Sequence, residues 1–212
     1  MKPPREHWEE VYGRKRPGEV SWYRPHLERS LRFIDEAGLG PDAGIIDVGG
    51  GASTLVDDLL TRGFTSLTVL DVSAKAIDAA KARLGEDAGR VRWLVADITG
   101  VELPPAAYDF WHDRAVFHFL VEEADRRRYV AAARRAVKPG GHVLLATFAP
   151  EGPSKCSGLD VVRYDADQLG AQLGPGFVEL GRATELHETP WGAGQPFVYV
   201  YGRLGSTAAA IR

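Results

Sequence analysis

Three short apolar runs in this chain each close on an aspartate, and that arrangement restricts the fold more than any other feature. They are Ile45-Ile46-Asp47, Val69-Leu70-Asp71 and Val95-Ala96-Asp97. Helical stretches separate them, over Ala52 to Arg62 and over Ser73 to Leu84, with Ser73 as candidate N-cap. Strands alternating with helices imply parallel pairing with helices on both faces. The rhythm continues through a strand at Tyr108 to Trp111, a helix at Glu122 to Val137, and a strand at His142 to Phe148 after Pro139-Gly140-Gly141. Then it breaks. After a helix candidate at Asp165 to Leu173, two strand patterns, Phe177 to Glu188 and Phe197 to Leu204, follow with no helix between them. That predicts an antiparallel hairpin at the sheet's edge.

Upstream, residues 1–40 read as a helical cap. An aromatic-rich segment covers Arg5 to Tyr12, and Leu27, Leu31 and Ile34 mark a helix over Pro25 to Ala37. The expected organisation is therefore a cap at 1–40, an α/β domain at 41–205 and a frayed tail at 206–212. The net charge of −3 gives no general attraction to nucleic acid, so RNA and DNA are poor acceptors or partners. No apolar run of about 18 residues could span a membrane, and Met1 to Glu10 has no apolar signal core. The expectation is a cytoplasmic protein with no membrane partner. Cys156 is the one cysteine, so no intrachain disulfide is possible. It stands in no metal-ligand spacing, and no metal is expected.

The strand ends suggest a ligand. After Asp47 come Gly49, Gly50 and Gly51, then a helix; glycines there permit a tight turn and a close approach to the backbone. The free N–H groups of the helix suit a carboxylate. Asp47 itself would repel a pyrophosphate and attract an ammonium, which favours an amino-acid-bearing ligand over a dinucleotide. The dinucleotide spacing G-x-G-x-x-G is not met, since Thr54 stands at the third position. Asp71, with Val72 beside it, can accept both hydroxyls of a ribose. Asp97 can accept from the exocyclic amine of an adenine while Ile98 packs on the ring. Each acid also has a plainer reading: a tight turn, a helix-capping side chain beside Ser73, or a solvated strand end.

Three strands ending in acids, with glycines after the first, resemble the class I S-adenosylmethionine-dependent methyltransferases. Val137-Lys138-Pro139-Gly140-Gly141-His142 also matches that family's turn into its fifth strand, and Ser53 departs from a frequent third glycine. The resemblance covers roughly residues 40–204. It implies a Rossmann-like, seven-stranded, mostly parallel sheet with an antiparallel last strand, and S-adenosylmethionine as cofactor. Asp47 and Gly49 would then hold the methionine end, Asp71 the ribose and Asp97 the adenine.

The fourth strand runs on as His112-Asp113-Arg114-Ala115-Val116-Phe117-His118. Open α/β sheets bind ligands at the C-terminal ends of their strands, so His112, Asp113, Arg114 and His118 are catalytic candidates. His112 is also a cofactor contact candidate. Histidine can take a proton near neutral pH, and arginine can hold an acidic group in a fork. Alternatively Asp113 and Arg114 simply pair, and His118 is a core histidine. The Asp113-Arg114 pair and the opening Trp8-Glu9-Glu10-Val11-Tyr12, followed by Trp22-Tyr23, resemble the thiopurine S-methyltransferase group. They are shared loosely with tellurite-resistance and protein-lysine methyltransferases. That likeness implies Trp8, Tyr12 and Trp22 covering the site, where aromatic walls favour a sulfonium. Plain packing of the cap on the sheet is the alternative. The Gly/Pro/Ser-rich loop after the fifth strand reads as an acceptor gate, with Cys156 and Arg163 facing the substrate.

The leading expectation is a methyltransferase acting on a small thiol, acid or amine. A protein-lysine or carboxylate methyltransferase ranks second, because no Asn-Pro-Pro-Tyr follows the fourth strand. A non-catalytic S-adenosylmethionine sensor would lack the polar His112-Asp113-Arg114 corner. A nicotinamide-dependent oxidoreductase would want G-x-G-x-x-G and Tyr-x-x-x-Lys, and has neither.

Overall fold

The computed structural model describes residues 4–205, so the expected tail at 206–212 lies outside the described residues. Seven strands form one sheet: β1 (Gly44–Val48), β2 (Ser66–Asp71), β3 (Val91–Val95), β4 (Tyr108–Arg114), β5 (Val137–Phe148), β6 (Phe177–Glu188) and β7 (Gly194–Leu204). Their order is β3-β2-β1-β4-β5-β7-β6. Pairs from β3 to β5 are parallel, and β7 runs antiparallel to both its neighbours. The late hairpin exists, but it is β7 that inserts beside β5, leaving β6 at the edge. Burial explains the choice. Phe197 to Tyr201 are buried without a break, whereas β6 alternates exposed and half-buried residues for most of its length. A run apolar on both faces needs neighbours on both edges and cover on both faces.

Helices α1 (Pro4–Arg14), α2 (Glu28–Glu36), α3 (Leu55–Thr61), α4 (Ala74–Leu84), α5 (Glu123–Ala136) and α6 (Ala166–Gln172) complete the layers. Strand alternation sorts the core into two clusters. Ile45, Phe110 and Leu144 meet Leu31, Ile34, Leu55 and Leu59 on one face. Ile46, Trp111 and Leu145 meet Tyr129, Ala133 and Leu169 on the other. Burying each large apolar side chain contributes roughly 1.5–3 kcal/mol.

Of the boundaries that differ from the sequence reading, three lie near the site. α2 begins at Glu28, three residues after Pro25. α3 begins at Leu55 because Gly50 to Thr54 form the turn, with Ser53 N–H donating to the Gly50 carbonyl and the Thr54 hydroxyl to the Arg24 carbonyl. β4 extends three residues past Trp111 to Arg114, held by Val48↔Asp113 on one side and Arg114↔Ala146 on the other. Successive side chains along that extension point to opposite faces. Among the described residues no helix is long and apolar enough to cross a membrane, and no cluster of His, Cys, Asp and Glu could hold a metal.

Candidate active site

A cavity of about 400 Å³ opens over the C-terminal ends of the central strands. Gly49, Asp71, Val72, Asp97 and Ile98 line it, together with Trp8, Tyr12, Trp22, Arg114, Phe119 and Cys156. A narrower recess beside it is lined by Asp47, Gly49, Gly50, His112, Arg114 and Trp22.

The glycine turn exists because side chains would not fit. Gly49 has φ +71°, a left-handed value, and its N–H donates to the Leu70 carbonyl at 2.7 Å. A Cβ on Gly50 would strike Asp47 Oδ2, and one on Gly51 would strike Asp71 Oδ2. The turn thus packs against the two carboxylates. Asp71 is buried, and its Oδ1 accepts the Ser73 N–H at 2.8 Å. Burial raises its pKa to about 7, and the nearby charge of Asp47 adds to that. Ser73 also caps α4, accepting from Ala76 N–H. Asp97 is exposed, and its Oδ1 accepts both the N–H and the hydroxyl of Thr99.

Asp47 is 3% exposed. Its Oδ1 meets His112 Nδ1 at 2.7 Å, and its Oδ2 has no partner. His112 Nε2 lies 2.8 Å from the Ser30 hydroxyl on α2. With the carboxylate at Nδ1, the ring donates there and accepts the Ser30 O–H at Nε2. Both ring nitrogens are occupied, so His112 borders the recess as a support for Asp47 rather than as a free base.

Asp113 points to the opposite face and lines neither space. Its carboxylate accepts from the N–H groups of Val116 (2.8 Å) and Phe117 (3.1 Å) and from the Tyr129 hydroxyl (2.6 Å), which in turn accepts Trp111 Nε1–H at 2.8 Å. Burial lifts its pKa to about 6, with the Tyr129 hydrogen bond opposing. It pins the turn after β4 and does not pair with Arg114. Arg114 donates from Nε to the Tyr199 hydroxyl (3.1 Å) and from Nη1 to the Trp22 carbonyl (3.2 Å), and lies 4.4 Å over the Phe197 ring. Its buried Nη2 has no partner.

His118 is a core residue. Its Nδ1 accepts the Phe148 N–H at 3.4 Å, and burial, reinforced by Arg114, lowers its pKa to about 3, so it stays neutral. It does not line the cavity. Arg163 is exposed and away from the cavity; Nη1 holds the Pro150 and Gly152 carbonyls at 2.9 and 3.1 Å. Cys156 does line the cavity, with its thiol pushed up to about 11 by burial. Trp8, Tyr12, Trp22 and Phe119 form one aromatic corner: Trp8 meets Trp22 at 5.5 Å and Phe119 at 5.2 Å, and Tyr12 meets Trp22 at 6.2 Å. Burial, and then Asp71, hold the Tyr12 phenol well above its usual pKa, so it keeps its proton. Sequence reasoning missed Ser30, Tyr129, Phe119 and Glu9. Glu9 accepts the Ala74 N–H at 2.6 Å and so ties α1 to the first turn of α4. It was legible only as a carboxylate seeking a helix N-terminus.

Residues 45–141 match the family model described as "Methyltransferase domain". Mouse EEF1A lysine methyltransferase 2 is 23% identical over 221 residues, covering 98% of this chain and 81% of its own length. The human protein of that name aligns over 68% of this chain, which spans just under two thirds, 66%, of its length. An uncharacterised methyltransferase of Mycobacterium tuberculosis is 32% identical over 115 residues, 54% of each chain. Among solved structures, 1,6-didemethyltoxoflavin-N1-methyltransferase of Burkholderia thailandensis superposes with a TM-score of 0.73 at 20% identity, covering 97% of this chain and 92% of its own. N-methyltransferase NodS of Bradyrhizobium japonicum gives 0.70 at 16%, covering 94% and 100%. EEF1A lysine methyltransferase 2 names a protein lysine, and the eEF1A lysine and N-terminal methyltransferase of Bos taurus names a protein N-terminus as well; a protein-lysine acceptor is the reading the sequence ranked second. The β3-β2-β1-β4-β5-β7-β6 sheet, the glycine turn and the carboxylates at the ends of β1 and β2, together with the match over residues 45–141, support an S-adenosylmethionine-dependent methyltransferase.

Proposed function

We propose that this enzyme methylates an amine nitrogen, and that the acceptor is a lysine side chain of a protein. The aromatic corner of Trp8, Tyr12, Trp22 and Phe119 carries the reading. Aromatic walls attract a cation without solvating it as water does. S-adenosylmethionine, when bound, supplies a methyl group on a sulfonium. Asp71 would accept from the ribose, Asp97 and Ile98 would face the adenine, and Asp47 Oδ2 would receive the ammonium. A methyl acceptor nitrogen becomes cationic as it reacts, so the corner keeps one positive charge between its rings before and after transfer. The chain's contribution is then alignment and exclusion of water. The lysine-methyltransferase names among the relatives and the likeness of the opening segment to enzymes of that kind support the acceptor class.

A free small amine is the second reading. Trp8 and Tyr12 of α1 themselves wall the cavity, which suits a compact acceptor. Methyl-labelled S-adenosylmethionine, incubated with enzyme and either the protein fraction or the ultrafiltrate of a cell extract, decides between them. Label on lysine in the protein fraction is expected. Label confined to the ultrafiltrate installs the small amine, and label released as methanol by mild base refutes nitrogen as the acceptor atom.

A further inference from the structure

Trp8, Tyr12, Trp22 and Phe119 bring four rings to one cavity, and they reach it from three separate parts of the fold. Trp8 and Tyr12 stand on α1, Trp22 on the segment before α2, and Phe119 on the short helix after β4. Trp8 meets Tyr12, Trp22 and Phe119 at 6.3, 5.5 and 5.2 Å between ring centres.

The polar groups around these rings already have partners. The Tyr12 hydroxyl takes the Trp22 indole N–H. The Trp22 carbonyl accepts from Arg114 Nη1 at 3.2 Å, and the Ser21 carbonyl from His187 Nε2 at 2.5 Å. Arg114 and Arg128 on the cavity wall can only donate. Of the carboxylates on that wall, Asp125 pairs with Arg128 and Asp97 accepts from Thr99. Asp71 accepts the Ser73 N–H and serves the ribose in the reading above. The ammonium of a primary amine brings three N–H groups, each wanting an acceptor. Every methyl group replaces one N–H with apolar surface that packs on a ring, while the positive charge stays. Rings without spare acceptors therefore favour the more methylated cation.

We infer that the aromatic corner sets the degree of methylation: the enzyme prefers an amine that already carries methyl groups and continues until the nitrogen can take no more. The inference rests on the reading of the acceptor as an amine, and it holds for a lysine and for a free amine alike. In each transfer the nitrogen lone pair forms the N–C bond as the C–S bond breaks. The electrons of that bond return to sulfur, and the positive charge passes to nitrogen. A mono- or dimethylated ammonium recovers its lone pair by giving a proton to water. A trimethylated nitrogen has no proton to give, so the series ends there.

The test is a pair of binding series read by calorimetry, with the protein saturated in S-adenosylhomocysteine. One series is Nα-acetyl-lysine amide carrying zero to three methyl groups on its side-chain nitrogen. The other is ethanolamine carrying zero to three, ending in choline. Affinity should rise about fourfold with each methyl group buried. A rise in the lysine series supports both the corner's role and the lysine reading. A rise confined to ethanolamine and choline refutes the lysine reading and still supports the corner's role. Affinity that stays level or falls with methylation in both series overturns the inference, as does the absence of binding in both, and neither outcome needs a variant to fold. Trp8→Leu should flatten whichever series rises; an unchanged slope removes Trp8 from the corner and counts against the inference. In the labelled-methyl experiment, acid hydrolysis should place most label in di- and trimethylated products, and label in the monomethylated form alone overturns the inference as well.

Discussion

Two buried aspartates end neighbouring strands one register step apart, Asp47 on β1 and Asp113 on β4, and they have different occupations. Asp113 is saturated: two backbone N–H groups and the Tyr129 hydroxyl consume its oxygens. Asp47 is deliberately half-finished, with His112 on one oxygen and nothing on the other. Both sit at the C-terminal end of the sheet, where ligands bind in such folds. What separates them is the face each projects to, and hence whether α5 or the open recess supplies the partner. A strand-end acid whose oxygens are all engaged is a structural part; one with a spare, buried oxygen has room for a further donor.

The largest effect that would break this contrast lies with the acid that completes the donor cradle. Asp71→Ala should weaken S-adenosylhomocysteine about 100-fold by calorimetry, since a buried carboxylate is lost from a polar ligand. Retained affinity would remove Asp71 from the site. Asp113→Ala should do the converse. It strips the partners from a buried hydroxyl and two N–H groups, costing about 3 kcal/mol and lowering Tm by several degrees, with donor affinity kept within about threefold. A donor-binding loss larger than the stability loss would erase the distinction between the two acids. Tyr129→Phe is the milder version: Trp111 Nε1 loses its acceptor and Asp113 one donor, for about 1–2 kcal/mol in chemical denaturation.

The smallest expected effect is a pH dependence that sharpens the picture of Asp71. Burial first, then Asp47, raises its pKa to about 7 in the folded protein, above the ordinary carboxylate value near 3.8. The folded state therefore holds that proton more tightly than the unfolded chain. This contribution to stability is complete below about 3.8 and is lost as pH rises to about 7. Ribose hydroxyls donate to the ionised form, so S-adenosylhomocysteine affinity should rise by up to about tenfold between pH 6 and 7.5, with proton release on binding. Asp71→Asn should flatten that profile; an unchanged slope would assign the titration to another group.

Much of the glycine-turn end of the cavity was legible in the chain, because it is written locally. Ile45 to Gly51 encodes strand, acid and turn within one stretch, and Ser73 caps α4 three residues before the Ala76 N–H that donates to it. The β4 corner was not legible in that way. His112, Asp113, Arg114 and His118 read as one polar cluster, yet alternation along the strand and the short helix that follows send them to different partners. Ser30 reaches His112 from 82 residues away, Tyr199 reaches Arg114 from 85, and Tyr129 claims Asp113 from α5. Arg163 looked like a substrate contact and instead staples the 150–152 loop.

The sequence by itself determined the parallel sheet, the glycine turn and the carboxylates at the strand ends, since apolar period, turn chemistry and strand ends are properties of neighbours along the chain. Tertiary structure alone decided that β7 would insert beside β5, that His112 would be bound at both nitrogens, and that Asp47 and Arg114 would each keep one atom free. Those outcomes depend on which groups arrive from distant segments to satisfy a buried polar atom, and hydrogen-bond satisfaction is a property of the assembled interior rather than of any local run of residues.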